Sequence, residues 1–74
     1  MIENSKNRSL LTAREREIFN LLVDDQTTKD IAGRLGISEK TVRNHISNTI
    51  QKLGVSGRAQ AVIELLRLGE LQLR

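Results

Sequence analysis

The chain of 74 residues contains no cysteine and no proline. Without cysteine, neither a disulfide framework nor a thiolate-ligated zinc site can brace the fold, and the single histidine, His45, makes no metal site by itself. Without proline, the boundaries between elements must be marked by caps, glycines and spacing. Long apolar runs are also missing: stretches such as 21–23 fall far short of the roughly 20 residues that span a bilayer. Residues 1–9 are polar and lack the apolar stretch of a secretory signal, so the expected location is the cytoplasm. Catalytic signatures are absent too, with no paired histidines, no Gly-x-Ser-x-Gly elbow and no Gly-x-x-x-x-Gly-Lys-Ser/Thr loop. The pairs Glu15/Glu17 and Asp24/Asp25 read as solvated charges of a cap and a turn, and the chain is not expected to be an enzyme.

What is present suits one small helical domain, since a chain of this length has room for a single modest core. The net charge of +3 says little, but its distribution says more. Residues 34–58 hold five cations (Arg34, Lys40, Arg43, Lys52, Arg58) against one acid, Glu39, a local balance of +4 that leaves −1 for the remainder. A positive segment in an otherwise nearly neutral chain is what a polyanion-binding surface requires, because phosphate neutralisation and counterion release supply most non-specific DNA affinity.

Caps and periodicity predict four helices. Thr12 and Glu15 form a Thr-x-x-Glu capping box ahead of a helix over Ala13–Val23, with Ile18, Leu21 and Leu22 at helical spacing and Phe19 and Val23 widening the stripe. After a turn at Asp24, Asp25 and Gln26, Thr27 or Thr28 caps a short second helix whose inward face is Ile31, Ala32 and Leu35. Gly36 ends it and Ile37 plugs the corner. Ser38 caps a third helix over Glu39–Leu53, closed by Gly54. Helix, tight turn with glycine, helix is the helix-turn-helix pattern, here over residues 28–53. Ser56 or Gly57 opens a fourth helix over residues 58–68, stopped by Gly69. The reading is therefore all-α: a four-helix, bundle-like domain over residues 11–74 with a central helix-turn-helix and no wing, preceded by a flexible arm over residues 1–10.

At about 100° per residue the third helix divides into two faces. Val42, Ile46, Thr49, Ile50 and Leu53 make a core-facing arc; Lys40, Arg43, Asn44, Ser47 and Gln51 make an arc roughly opposite, and every one of these can hydrogen-bond. Exposed helix faces are commonly polar for solubility alone, but here the polar arc follows the turn and lies in the basic segment. Arginine forks onto guanine, asparagine pairs with adenine, serine takes either role, and lysine and glutamine add reach.

The motifs Thr28-Lys29-Asp30-Ile31-Ala32, Leu35, Ile37-Ser38, Thr41-Val42-Arg43, His45 and Lys52-Leu53-Gly54-Val55 resemble the DNA-binding domain of the LuxR/FixJ class of bacterial regulators. Leu11-Thr12-x-Arg14-Glu15 resembles that family's opening motif and Arg58-x-x-Ala61-Val62 the start of its last helix, so the likeness covers residues 11–69. Several linked motifs in order are a specific signal. The resemblance implies sequence-specific recognition of double-stranded DNA, with Arg43, Asn44 and Ser47 reaching base edges, the residues the face division also selects. It implies phosphate contacts from Thr28, Lys29, Ser38, Lys40, Thr41 and Lys52. For Thr41 a corner-filling role, and for Ser38 the helix cap, stand as equal or better readings; His45, at the margin of the buried arc, reads as a packed or backbone-bonded side chain.

The fourth helix carries more apolar surface than one core contact needs. Ala61, Val62 and Leu65 make its inward stripe, while Ile63, Leu66 and Leu68 wrap toward a second side. The family resemblance implies a homodimer through Ile63, Leu66, Arg67 and Glu70; the alternative is that Leu71 and Leu73 of the tail, or the first helix, cover these side chains. Most members of the class carry this domain behind a receiver or sensor domain. This chain resembles instead a stand-alone member that acts on late sporulation and spore-coat genes, which implies RNA polymerase as a further partner and neither cofactor nor small-molecule ligand. Two other readings are a helical protein-interaction adaptor and an effector domain excised from a larger regulator.

Overall fold

The computed structural model describes residues 10–72, so residues 1–9 of the expected arm over 1–10 lie outside the described residues, as do Leu73 and Arg74. Among the described residues the regular elements are four α-helices: α1 (Ala13–Val23), α2 (Thr28–Leu35), α3 (Glu39–Leu53) and α4 (Arg58–Arg67). The all-α expectation holds, and the last helix stops one residue short of the anticipated 58–68 because Leu68 forms its cap.

Local chemistry explains each boundary. The Glu15 amide donates to Thr12 Oγ1 at 3.1 Å and the Thr12 amide donates back to Glu15 Oε1 at 2.9 Å, so two otherwise unpaired donors are satisfied reciprocally. The second helix starts in the same way: Thr27 is its cap, and Thr27 and Asp30 exchange bonds of 3.1 Å in both directions. The bonds from the Thr27 backbone and hydroxyl hold the Asp30 carboxyl below its usual range. Between α1 and α2 the chain turns through Asp25 at φ +68°, a left-handed position tolerated by a short polar side chain.

At the end of α2, Gly36 adopts φ +70° and lets the Ile37 amide reach the Ala32 carbonyl, a Schellman-type closure. Nothing lies within 4 Å of where a Cβ would stand on Gly36, so glycine is required here for its backbone angle and not for space. Gly57 supplies the extended start of α4 without a side-chain cap.

The core comprises Leu11, Ile18, Phe19, Ile31, Ala32, Val42, Ile46, Ala61, Leu65 and Leu71. Full burial of each larger side chain stabilises the fold by about 1.5–3 kcal/mol. Helix α3 packs against all three others and forms the centre of the domain. Beyond α4 the chain folds back. Leu71 is buried at 3 % exposure, and the Arg16 guanidinium holds Glu70 through both its carbonyl and its carboxylate, the latter at 2.7 Å. The tail thus seals the α1 side of the core through Leu71, and among the described residues nothing covers Ile63 and Leu68, which remain 58 % and 50 % exposed.

Candidate nucleic-acid interface

The candidate surface is one side of α3, and its orientation follows from the opposite side. Val42, Ile46 and Thr49 are buried and Ile50 and Leu53 half-buried, which fixes the helix rotationally against α1, α2 and α4. Buried Thr49 is satisfied within the helix, its hydroxyl donating to the His45 carbonyl at 2.9 Å. With that arc inward, Lys40, Arg43, Asn44, Ser47 and Gln51 are all exposed. The structure therefore brings together the three expected base readers, Arg43, Asn44 and Ser47, and flanks them with Lys40. Arg43 Nη1 lies 3.6 Å from Glu39 Oε1, one helical turn back.

At the N-terminus of α3, Ser38 Oγ accepts the Thr41 amide at 3.0 Å and lies 2.9 Å from Thr41 Oγ1. The capping role of Ser38 is thus realised, and Thr41 is half-buried with its hydroxyl against the cap. Both side chains still border the polar arc. Lys29 is exposed and Thr28 half-buried in the first turn of α2, where two of the end donors are already taken by the Thr27–Asp30 box. His45 is half-buried, in keeping with its place at the margin of the inward arc.

Lys52 is drawn partly into the fold. Its ammonium donates to Glu15 Oε1 at 2.6 Å and to the Leu10 carbonyl at 2.8 Å, so two of its three donors serve the fold. Glu15 is buried, with a side chain only 5 % exposed, and its charge cancels that of Lys52. Burial by itself would raise the Glu15 pKa; the bonds from Lys52 and the Thr12 amide, with the charges of Lys52 and His45, outweigh it and hold the carboxyl below its usual range. Sequence reasoning placed Glu15 in its capping box but missed this pair, because no local rule links positions 37 apart. Of the residues expected at a dimer surface, Glu70 has its carboxylate engaged by Arg16 within the chain, while Ile63 and Arg67 are exposed and Leu66 is half-buried. Arg67 itself pairs with Glu64 at 3.0 Å.

Among the described residues no helix is long and apolar enough to cross a membrane, and no group of His, Asp or Glu is arranged to hold a metal ion. The sequence matches the family model described as bacterial regulatory proteins, luxR family, over residues 9–65. The chain belongs to the luxR family. It is accordingly a DNA-binding transcription regulator and not an enzyme. Among luxR-family relatives it is 71 % identical over 68 residues to the spore germination protein GerE of Bacillus subtilis, covering 92 % of each chain. It is 42 % identical to the transcriptional regulatory protein DegU of Brevibacillus brevis, covering 99 % of this chain but 31 % of that one. In structure it matches the solved transcription factor GerE with a TM-score of 0.88 and 79 % identity, over 90 % of this chain and all of the other. The response regulator ChrA of a heme-sensing two-component system matches with a TM-score of 0.74 and 36 % identity, over 82 % of this chain and 30 % of that one. The likeness to GerE thus spans about nine-tenths or more of both chains, whereas DegU and ChrA carry the matching region as less than a third of a longer chain.

Proposed function

We propose that this luxR-family regulator reads specific sites on double-stranded DNA through Arg43, Asn44 and Ser47 of α3. The observation that carries the reading is the exposed arc of Lys40, Arg43, Asn44, Ser47 and Gln51, held outward by the buried arc of Val42, Ile46 and Thr49. In this reading α3 lies in the major groove with its side chains on base edges, while phosphate contacts from Thr28, Lys29, Ser38, Lys40 and Thr41 set the register. Lys52 offers at most its third donor to a phosphate, since Glu15 and Leu10 hold the other two.

Two subunits pair through the outer face of α4, where Ile63 and Leu68 leave apolar surface in water next to half-buried Leu66. The pair then meets two related half-sites. The similarity to a spore germination protein supports a role in late sporulation, including spore-coat genes, exerted by activating or obstructing RNA polymerase at the nucleoid in the cytoplasm. The test is selection of bound duplexes from a random DNA pool at fixed, near-physiological salt. A short motif repeated at fixed spacing and orientation is the expected result. A single half-site would retain the recognition and remove the dimer; no motif, with random duplex bound no better than heparin, would overturn recognition and favour a protein-interaction adaptor.

A further inference from the structure

Residues 34–58 carry five cations and a single acid, and that acid, Glu39, occupies the first position of α3. The helix does not need it as a cap, because Ser38 already accepts the Thr41 amide. Its carboxylate instead lies 3.6 Å from the guanidinium of Arg43, and both side chains are open to solvent at 42 % and 56 % exposure. A carboxylate on the first turn of a helix that enters the groove is repelled by DNA phosphates, so it opposes the charge around it. We infer that Glu39 is a specificity-determining residue, one that occupies Arg43 and repels phosphate when the protein sits on non-cognate DNA, so that Arg43 is released productively only by a guanine edge.

The inference rests on Arg43 being a base reader. An exposed arginine on the reading arc can bind any phosphate, which raises affinity for every sequence and discriminates among none. With Glu39 one turn away, a phosphate that takes up Arg43 trades an existing ion pair for one that lies close to the Glu39 negative charge, which repels it. A guanine presents two acceptors, N7 and O6, to two parallel donors of the fork, and as a neutral base edge it is not repelled by Glu39. The single contact from Nη1 to one carboxylate oxygen leaves the other guanidinium donors available for that exchange. Glu39 therefore weakens random binding more than cognate binding.

The test is titration of the full chain against a duplex selected by it and against random duplex, at several salt concentrations, for wild type, Glu39→Gln, Arg43→Ala and the double variant. Glutamine retains the size of the side chain, and circular dichroism verifies that helix content is unchanged. Glu39→Gln should raise random-duplex affinity about three- to tenfold and cognate affinity less than about twofold, with the random-DNA salt slope steeper by about 0.9 as Arg43 gains a phosphate. In the Arg43→Ala background the same change should raise random affinity by a smaller factor. Equal effects of Glu39→Gln on both duplexes, no effect on random duplex, or a loss of cognate affinity would each overturn the role of Glu39. If Arg43→Ala alone weakens both duplexes equally, the base-reading assignment fails, and with it the premise; if Arg43→Ala discriminates and Glu39→Gln does not, only the inference on Glu39 fails.

Discussion

Replacing Lys52 with methionine removes the ammonium while retaining most of the aliphatic stem, so it isolates the two bonds that tie the end of α3 to the start of α1. Removing one partner of a fully buried ion pair costs about 3–5 kcal/mol, because the other charge is left uncompensated. Here Glu15 is nearly buried but Lys52 is 34 % exposed, and the Thr12 amide still bonds the carboxylate, which brings the expected cost of Lys52→Met to about 2 kcal/mol. A domain of this size has about 4–11 kcal/mol in total, so Tm should fall by about 8–16 °C. Urea or thermal unfolding followed by circular dichroism measures it. The pH dependence adds a second readout. The Glu15 pKa is depressed in the fold, so its stabilisation is complete above the ordinary value near 4.5 and is lost as pH falls through the folded value. In Lys52→Met, burial remains and the ammonium is gone, so the carboxyl titrates higher and the gap between the two proteins narrows as the solution is acidified. A cost below about 0.5 kcal/mol, or a gap that stays constant from about pH 6 to about pH 3, would refute the argument.

Arg43→Ala should cost about 1–3 kcal/mol at the selected site and relax base preference there, whereas Lys40→Ala should weaken all sequences alike and flatten the salt slope by about 0.9; binding titrations on cognate and random duplex separate the two. Gly36→Ala should destabilise by about 1–2 kcal/mol in urea unfolding, from the left-handed backbone angle alone, since a methyl group there meets nothing within 4 Å. Ile63→Glu should leave helix content intact and make the protein sediment as a monomer, because it places a charge in the exposed apolar face of α4; sedimentation unchanged from wild type would remove that face from the dimer.

The starts of α1 and α3 were legible because they are decided within four residues: Thr12 with Glu15, and Ser38 ahead of α3, satisfy end donors wherever they stand in the chain. The sequence left the cap of α2 between Thr27 and Thr28, and the structure decides for Thr27, whose hydroxyl accepts the Asp30 amide while Asp30 bonds back. The division of α3 into two faces also held, since a helix with Val42, Ile46 and Thr49 on one side has only one way to bury them. The intrachain partners of Lys52 and Glu70 went unseen for the same reason as each other. Both have long, charged side chains on exposed-looking helical or tail positions, and nothing in their neighbourhoods in the sequence announces Glu15 or Arg16 as partners.

By itself, then, the sequence determined the four helices and their bounds to within about a residue, which side of α3 faces water, and the family to which the chain belongs, because capping, left-handed glycines, 3.6-residue periodicity and linked motifs are all short-range properties. Only the tertiary structure decided which charges remain free. Glu15 with Lys52 and Arg16 with Glu70 are 37 and 54 residues apart, and they meet because packing α1 against α3 and folding Leu71 back over the core bring their side chains together. An ion pair depends on distance in space and on exclusion of water, and neither exists until the core has formed.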